Sequence, residues 1–226
     1  RNEFLASISH ELRTPLTYIK GYADIISKQD ITDEERKEYL DIIREETEHL
    51  TILVKNLFDL ARMDENKFVI NRKNVNFRQL IQTIEERVTP VLQEKNITFS
   101  ASCPVNIIGN IDPDRIQQVL LNILDNARKH TPEGKSISLE VTQNDREITI
   151  TISDEGEGIP KEEIPYLFER LYRVEKSRSR ESGGTGLGLA IAKEIIESHG
   201  GTIEIESKLG KGTKVIIHLT RGEYNG

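Results

Sequence analysis

The sequence predicts an α+β chain: an antiparallel helical hairpin that completes its core as a dimeric four-helix bundle, followed by an α/β sandwich. Three observations predict it. Apolar residues recur at alternating spacings of three and four up to about residue 62, the heptad stripe of packed helices. A polar stretch follows Met63. Beyond that stretch, helix-spaced segments alternate with runs of period two, as when helices cover one face of a mixed sheet. The resulting expectation is a hairpin over 1–62, a linker over 63–76 and a second domain over 77–226.

The stripe of the first helix is Leu5, Ile8, Leu12, Pro15, Ile19, Tyr22 and Ile26; that of the second is Tyr39, Ile43, Glu46, Leu50, Leu53, Leu57 and Leu60. The turn between them, Lys28 to Asp33, is polar, and Thr32 with Glu35 can form a capping box. Two helices cannot enclose a core alone, so a homodimer through the hairpin is the economical solution. Pro15 removes a backbone bond inside the first helix and should kink or loosen it.

In the second domain Leu80, Ile81, Ile84 and Val88 mark a helix over 77–93, and 97–102 reads as a strand. Asp112 caps a helix carrying Ile116, Val119, Leu120, Ile123 and Leu124. Strands follow at 136–142 and 147–153, joined at Asn144 and Asp145, and Ile148, Ile150 and Ile152 bury one face of the second. A helix over 187–198 and strands at 202–207 and 213–219 close the chain.

Composition excludes several classes. Among 226 residues, 31 are basic and 38 acidic, so bulk charge is not built to hold nucleic acid. One cysteine, Cys103, allows neither an internal disulfide nor a cysteine-cluster metal site. No apolar run approaches a membrane span, and nothing at the start reads as a signal peptide. Residue 1 is Arg, so the expectation is a chain that is either processed or a piece of a longer protein.

Glycines cluster at Asp154-Glu-Gly156-Glu-Gly158, at Gly183 to Gly188 before a helix, and at Gly210-Lys-Gly212-Thr213. Taken singly, each reads as a turn, and the third as a hairpin turn. A helix start behind such a loop offers free N–H groups to phosphate. Known phosphate loops do not fit: Lys211 is followed by Gly212, against a Walker loop, and Lys161 stands where a dinucleotide fingerprint needs its third glycine. The helix before the first cluster presents Asn122, Asn126 and Lys129 on one face, with His130 beside them. An amide oxygen suits magnesium and a lysine suits phosphate. A solvated polar face fits equally well, but the order (polar helix, Asp with glycines, glycine-rich helix start) favours a nucleotide site.

His10 falls at heptad position f, on the solvent side. Glu11 adjoins it and Thr14 follows one turn on. A carboxylate can fix the imidazole tautomer and act as base, leaving the other nitrogen as nucleophile. A zinc-protease reading fails, because Thr14 stands where the second histidine belongs. His49, His199 and His218 are assigned structural roles.

Ser9-His10-Glu11-Leu12-Arg13-Thr14-Pro15-Leu16 resembles the H-box of sensor histidine kinases. Asn122 to Thr131 resembles their N-box, Asp154 to Ile159 the G1 box, Phe168 to Arg173 the F-box and Gly184 to Leu189 the G2 box. All five occur in the family's order. The departures are Leu171 for a second Phe, His130 for Tyr or Phe, and Val215 where Phe is usual.

The resemblance implies a dimerization and histidine-phosphotransfer hairpin followed by a GHKL-type ATP-binding domain. His10 would attack the γ-phosphate of ATP and Glu11 would deprotonate it. Asn126 would bind Mg²⁺, with Asn122 near the metal or the attacking histidine. Lys129 and His130 would contact phosphates, Asp154 the adenine amino group, and Arg173 the γ-phosphate. Gly156 and Gly158 belong to the G1 box; Gly184, Thr185, Gly186, Leu187 and Gly188 would form the lid and cradle the phosphates. The phosphoryl group would pass to an aspartate on a response regulator receiver domain. His-Glu-x-x-Thr also resembles the family's phosphatase motif, with Thr14 positioning a water. The parent would be anchored in a bacterial membrane through parts preceding this cytoplasmic portion. The alternatives are a GHKL ATPase, which would carry a glutamate where Asn122 stands, and a nucleotide-binding scaffold.

Overall fold

The computed structural model describes residues 2–28, 30–64, 68–174 and 185–221; residues 2–5 and 64 are described by backbone alone. The chain divides into two compact units, Arg1–Lys67 and Phe68–Gly226.

In the first unit, α1 (Asn2–Lys28) packs along α2 (Asp33–Asp64). The capping box forms: the Glu35 N–H donates to Thr32 Oγ1 at 3.2 Å, and the Thr32 N–H donates to Glu35 Oε2 at 2.8 Å. Near this turn the stripe residues Tyr22 and Tyr39 meet, with ring centroids 5.1 Å apart. Leu53 and Leu60 are buried, as their stripe positions require. Asn56 and Asp59 of α2 are buried too, two polar side chains that the stripe does not include. The helix α1 runs through Pro15 without a break.

The second unit opens with β1 (Lys73–Asn76) and α3 (Phe77–Glu94), then β2 (Thr98–Ser102), β3 (Ile108–Ile111) and α4 (Pro113–His130). The hairpin β4 (Ser136–Gln143) and β5 (Glu147–Asp154) follows, then a short 3-10 turn at Ile164–Tyr166, α5 (Gly188–Ser198), β6 (Thr202–Ser207) and β7 (Thr213–Thr220). Five strands form one sheet in the order β2-β4-β5-β7-β6, with only the β2–β4 pair parallel. Helices α3, α4 and α5 pack on this sheet and on one another. Turn chemistry is as read: Asn144 Oδ1 accepts the N–H groups of Arg146 and Glu147 at 2.8 and 2.9 Å.

One element differs. Lys73–Asn76, read as the end of a polar connector, is a strand paired antiparallel with β3. Its polar, four-residue length carries no period-two signal, and the ladder comes from β3, 32 or more residues away in sequence.

A buried knot joins the start of this unit to α4 and α5. His199, at the C-cap of α5, donates from Nδ1 to the Ile195 carbonyl at 2.7 Å and accepts the Asp112 N–H on Nε2 at 3.0 Å. A carbonyl can only accept, so the ring is the neutral Nδ1–H tautomer. Asp112 in turn caps α4 through Arg115 N–H at 3.2 Å and takes the Asn71 N–H at 2.9 Å. Arg72 donates to the Ser198 carbonyl at 3.0 Å.

Burial first, with Arg72 nearby, holds the His199 pKa below 6.5 against its bond to Ile195 and the charge of Asp112. The unfolded chain therefore takes up a proton at higher pH than the folded one. The stability contributed by the neutral ring is complete above 6.5 and drains away as pH falls through the folded value. Thermal unfolding should lose midpoint temperature between about pH 7.5 and about pH 5, and His199→Asn should lower the midpoint at pH 7.5 while flattening that slope. An unchanged slope would remove His199 from the account.

Candidate functional site

Residues opposite each other in a ladder share one face of the sheet. The core-facing row of β5 is Ile148, Ile150, Ile152 and then Asp154. Their partners on β7 are Leu219, Ile217, Val215 and then Thr213. On β6, Ile203 and Ile205 precede Ser207, which pairs with Thr213. The apolar core face thus ends in a polar row, Asp154–Thr213–Ser207.

Asp154 Oδ1 accepts two backbone N–H groups, from Gly156 at 2.8 Å and from Thr213 at 3.2 Å. Burial pushes this carboxyl above the usual carboxylate range, and the two N–H groups and the nearby His130 only partly offset it.

The helix α4 stands beside this row, and its C-terminal half carries the polar face foreseen from the sequence. Lys95 fixes its end by donating to the carbonyls of Arg128 at 2.8 Å and Thr131 at 3.2 Å. The His130 carbonyl accepts the Glu157 N–H at 3.3 Å, and a Cβ on Gly156 would lie 2.5 Å from that carbonyl oxygen. His130 donates from Nδ1 to Glu157 Oε1 at 3.2 Å, on the Asp154 side of the helix end. Asp125, between the two asparagines, is held by Lys129 at 2.6 Å and Arg128 at 2.8 Å. Burial would raise its pKa, but these two cations outweigh that and hold the carboxyl below its ordinary value. Asn122 donates to the Gly188 carbonyl at 3.3 Å, joining α4 to the start of α5. Asn126 is half-buried on the same helix.

The glycine stretches fold onto one another. The turn after β6 tucks against the loop after β5: Gly210 donates to the Glu157 carbonyl at 2.6 Å, and Gly158 packs on Lys208. Gly212 has φ +87°, and a Cβ there would meet the Asp154 carbonyl oxygen at 1.9 Å, so only glycine fits. Gly186 has φ +66° and accepts the Leu171 N–H at 2.9 Å, with Leu171 itself at φ +64°. A Cβ on Gly186 would lie 2.8 Å from the Leu171 backbone. Thr185 and Leu187 are buried, and Arg173 is half-buried. The N-cap residue of α5, Leu187, makes no side-chain cap bond to the helix start at Gly188. Gly184 lies outside the described residues.

The remaining candidates belong to the first unit. His10 is exposed on α1, with Glu11 half-buried next to it. Thr14 Oγ1 donates to the His10 carbonyl at 3.2 Å.

Sequence reasoning missed Ser207, Glu157 and the pairing role of Asp125. Ser207 ends an alternating strand and looks like its last polar residue. Only the three-strand register shows it beside Asp154. The third glycine cluster was a usable signal, since its Thr213 follows a glycine that must lie against another chain segment.

Two family models match the chain. One, described as histidine kinase-, DNA gyrase B-, and HSP90-like ATPase, matches residues 111–223; the other, the His Kinase A (phospho-acceptor) domain, matches residues 1–66. The sensor protein kinase WalK of Staphylococcus aureus is 41% identical over 223 residues, covering 97% of this chain. The chain spans 53% of that relative's length, and 36% of WalK from strain Newman. Among solved structures, histidine kinase AdeS of Acinetobacter baumannii aligns with TM-score 0.74 at 24% identity, covering 95% of this chain and 98% of its own. Histidine kinase ThkA, in complex with response regulator protein TrrA, aligns with TM-score 0.77 at 24% identity over 99% of this chain and 63% of its own. The mycobacterial sensor histidine kinase MprB gives 0.58 at 30% identity, covering 67% of this chain and 98% of its own.

Because the fold leaves the Asp154 charge incompletely compensated, Asp154→Asn, which keeps an oxygen for both N–H groups, should raise the unfolding temperature while weakening nucleotide binding at least about tenfold. A fall in both would show that the carboxylate serves the fold.

Proposed function

The chain belongs to the sensor histidine kinases, and from that premise we propose that it phosphorylates His10 from ATP and passes the phosphoryl group to an aspartate of a response regulator receiver domain. The first unit, Arg1–Lys67, serves as the dimerization and phosphotransfer hairpin and the second, Phe68–Gly226, as the ATP-binding domain. The observation that carries the reading is an exposed imidazole together with a C-terminal half of α4 whose one carboxylate, Asp125, is already engaged. Asp125 is held by Lys129 and Arg128, so the stretch of α4 that carries Asn122 and Asn126 has no base ready to activate water, as a hydrolase needs.

Asp154 accepts the amino group of the base through the oxygen its backbone partners leave open. The start of α5, where Leu187 supplies no side-chain cap, and Thr185 and Gly186 before it offer backbone N–H groups to the phosphates. Lys129 and Arg173 add positive charge there. His130 serves the nucleotide from the end of α4, and its bond to Glu157 beside Asp154 holds the ring there.

No group of three or more His, Cys, Asp or Glu that could hold a metal occurs among the described residues. The amide of Asn126 therefore suits an ion that arrives with the nucleotide and is held mainly by phosphate oxygens, as Mg²⁺ is. When bound, Mg²⁺ neutralises charge on those oxygens. Glu11 takes the imidazole proton, a nitrogen of His10 forms the new bond to the γ-phosphorus, and the bond to the β-bridging oxygen breaks to release ADP.

Exposed Leu16, Leu40, Ile52 and Phe58 on the hairpin support a second copy of the chain as its partner. No described helix is long and apolar enough to cross a membrane, and a membrane attachment would come from other parts of a longer protein.

Incubation with γ-labelled ATP should give acid-labile, base-stable label on the protein, lost in His10→Gln and in Asn126→Ala. Free phosphate without protein label would mean an ATPase, and neither would mean a scaffold. Thr14 lies one turn from His10, and the same motif supports phosphatase activity toward the phosphorylated regulator. Thr14→Ala should spare autophosphorylation and depress release of phosphate from the regulator about tenfold or more; equal loss of both activities would sink that second role.

A further inference from the structure

We infer that Ser207 sets the purine specificity of the nucleotide site by fixing where the hydroxyl proton of Thr213 points. The inference rests on the reading of Asp154 as the group that recognises the base, and concerns how the rest of the polar row completes that recognition.

A hydroxyl has one proton to give and two lone pairs to receive with. Ser207 Oγ accepts the Ile159 N–H at 2.8 Å. It also lies 2.9 Å from the Gly212 carbonyl oxygen, which can only accept, so the proton of Ser207 goes there. Its third neighbour is Thr213 Oγ1, again at 2.9 Å. With the Ser207 proton spent, that bond is made by the Thr213 proton. All three capacities of Ser207 are then filled. The reverse order, Ser207 donating to Thr213, would leave the Gly212 carbonyl with only the long 3.4 Å bond from the Lys208 N–H.

The consequence is a row of acceptors. Thr213 gives its proton to Ser207 and keeps lone pairs alone for anything bound beside it. Its neighbour Asp154 takes both backbone N–H groups on Oδ1, which leaves Oδ2 as another acceptor. Two acceptors on one edge suit an amino group with two N–H bonds, as at position 6 of adenine. A 6-oxo purine sets its own lone pairs against them. A site built to hydrogen-bond one group rejects the analogue that lacks it, because its polar atoms are left unpaired. Ser207 does not touch the base. It is a positioning residue, remote by one hydrogen bond.

Ser207 also ties Ile159 to the start of β7, so its loss should weaken every nucleotide somewhat. The ratio between two bases separates the roles. Equilibrium binding of ATP and of inosine triphosphate to the purified chain, followed by calorimetry, is the test. Wild type should prefer ATP. Ser207→Ala frees the Thr213 proton to turn toward a 6-oxo group, and the preference for ATP should fall about fivefold, with Ser207→Thr keeping it. If Ser207→Ala weakens both nucleotides by the same factor, Ser207 is only structural and the proposal is overturned. Should Ser207→Ala not fold, Thr213→Val removes the hydroxyl instead, and an unchanged ratio there overturns the proposal as well. A wild-type chain that binds neither nucleotide overturns the nucleotide reading itself, and this inference with it.

Discussion

Asp154 brings a carboxylate to the end of a sheet face otherwise made of isoleucine, valine and leucine, and much of the second unit is arranged around satisfying it. A charge in such surroundings has to be met by N–H groups. One comes from Gly156 in the loop that follows, the other from Thr213 on the neighbouring strand. For Thr213 to reach, β7 must begin opposite the end of β5. The turn Lys208–Gly212 must then lie flat against residues 155–158, where the Gly210 N–H meets the Glu157 carbonyl. That closeness is what forbids a side chain at Gly212. A polar requirement at one atom thus dictates glycine positions more than 50 residues downstream.

The helix α4 is held at both ends by groups from elsewhere in the unit. At its N-terminus Asp112 caps it and is itself braced by His199. At its C-terminus Lys95 satisfies carbonyls that the helix leaves open. A helix anchored in this way can carry Asn122, Asn126 and Lys129 at fixed heights beside Asp154, while its other face buries Ile116, Val119, Leu120, Ile123 and Leu124. Toward its C-terminus Asp125 pairs with Arg128 and Lys129, so that half of the helix presents amides and a lysine already held by Asp125.

Elements with a strong period were legible in the sequence. The heptads, the capping box at Thr32 and Glu35, the Asp112 cap and the Asn144 turn all depend on neighbours within a few residues, and all appear as read. What was not legible depends on long-range register. The strand β1 has no alternation of its own and exists because β3 pairs with it. Ser207 becomes part of the site only through the β6–β7–β5 ladder. Asp125 looked like spacing between two asparagines, and its grip on Lys129 depends on helical i,i+4 geometry that the motif itself did not emphasise. The bond of His130 to Glu157 was not legible either, because it depends on the end of α4 abutting the loop after β5.

The distribution of carboxylates bears on which reaction the fold can run. A general base needs a lone pair available at the reacting atom and a pKa near the working pH. Asp125 fails on both counts, since two cations occupy it and hold its pKa down. Asp154 is raised, but its Oδ1 is committed to backbone N–H groups, and under the kinase reading its other oxygen is taken by the adenine amino group. Glu157 is paired with His130. None of these three is left to prepare water for attack on a phosphate bound near α5. Under the kinase reading, acceptor and base are both supplied from the other unit, where His10 is exposed with Glu11 beside it. With those three carboxylates unavailable to water, ATP bound there would stay intact until that imidazole arrives, and a kinase needs that restraint more than an ATPase does.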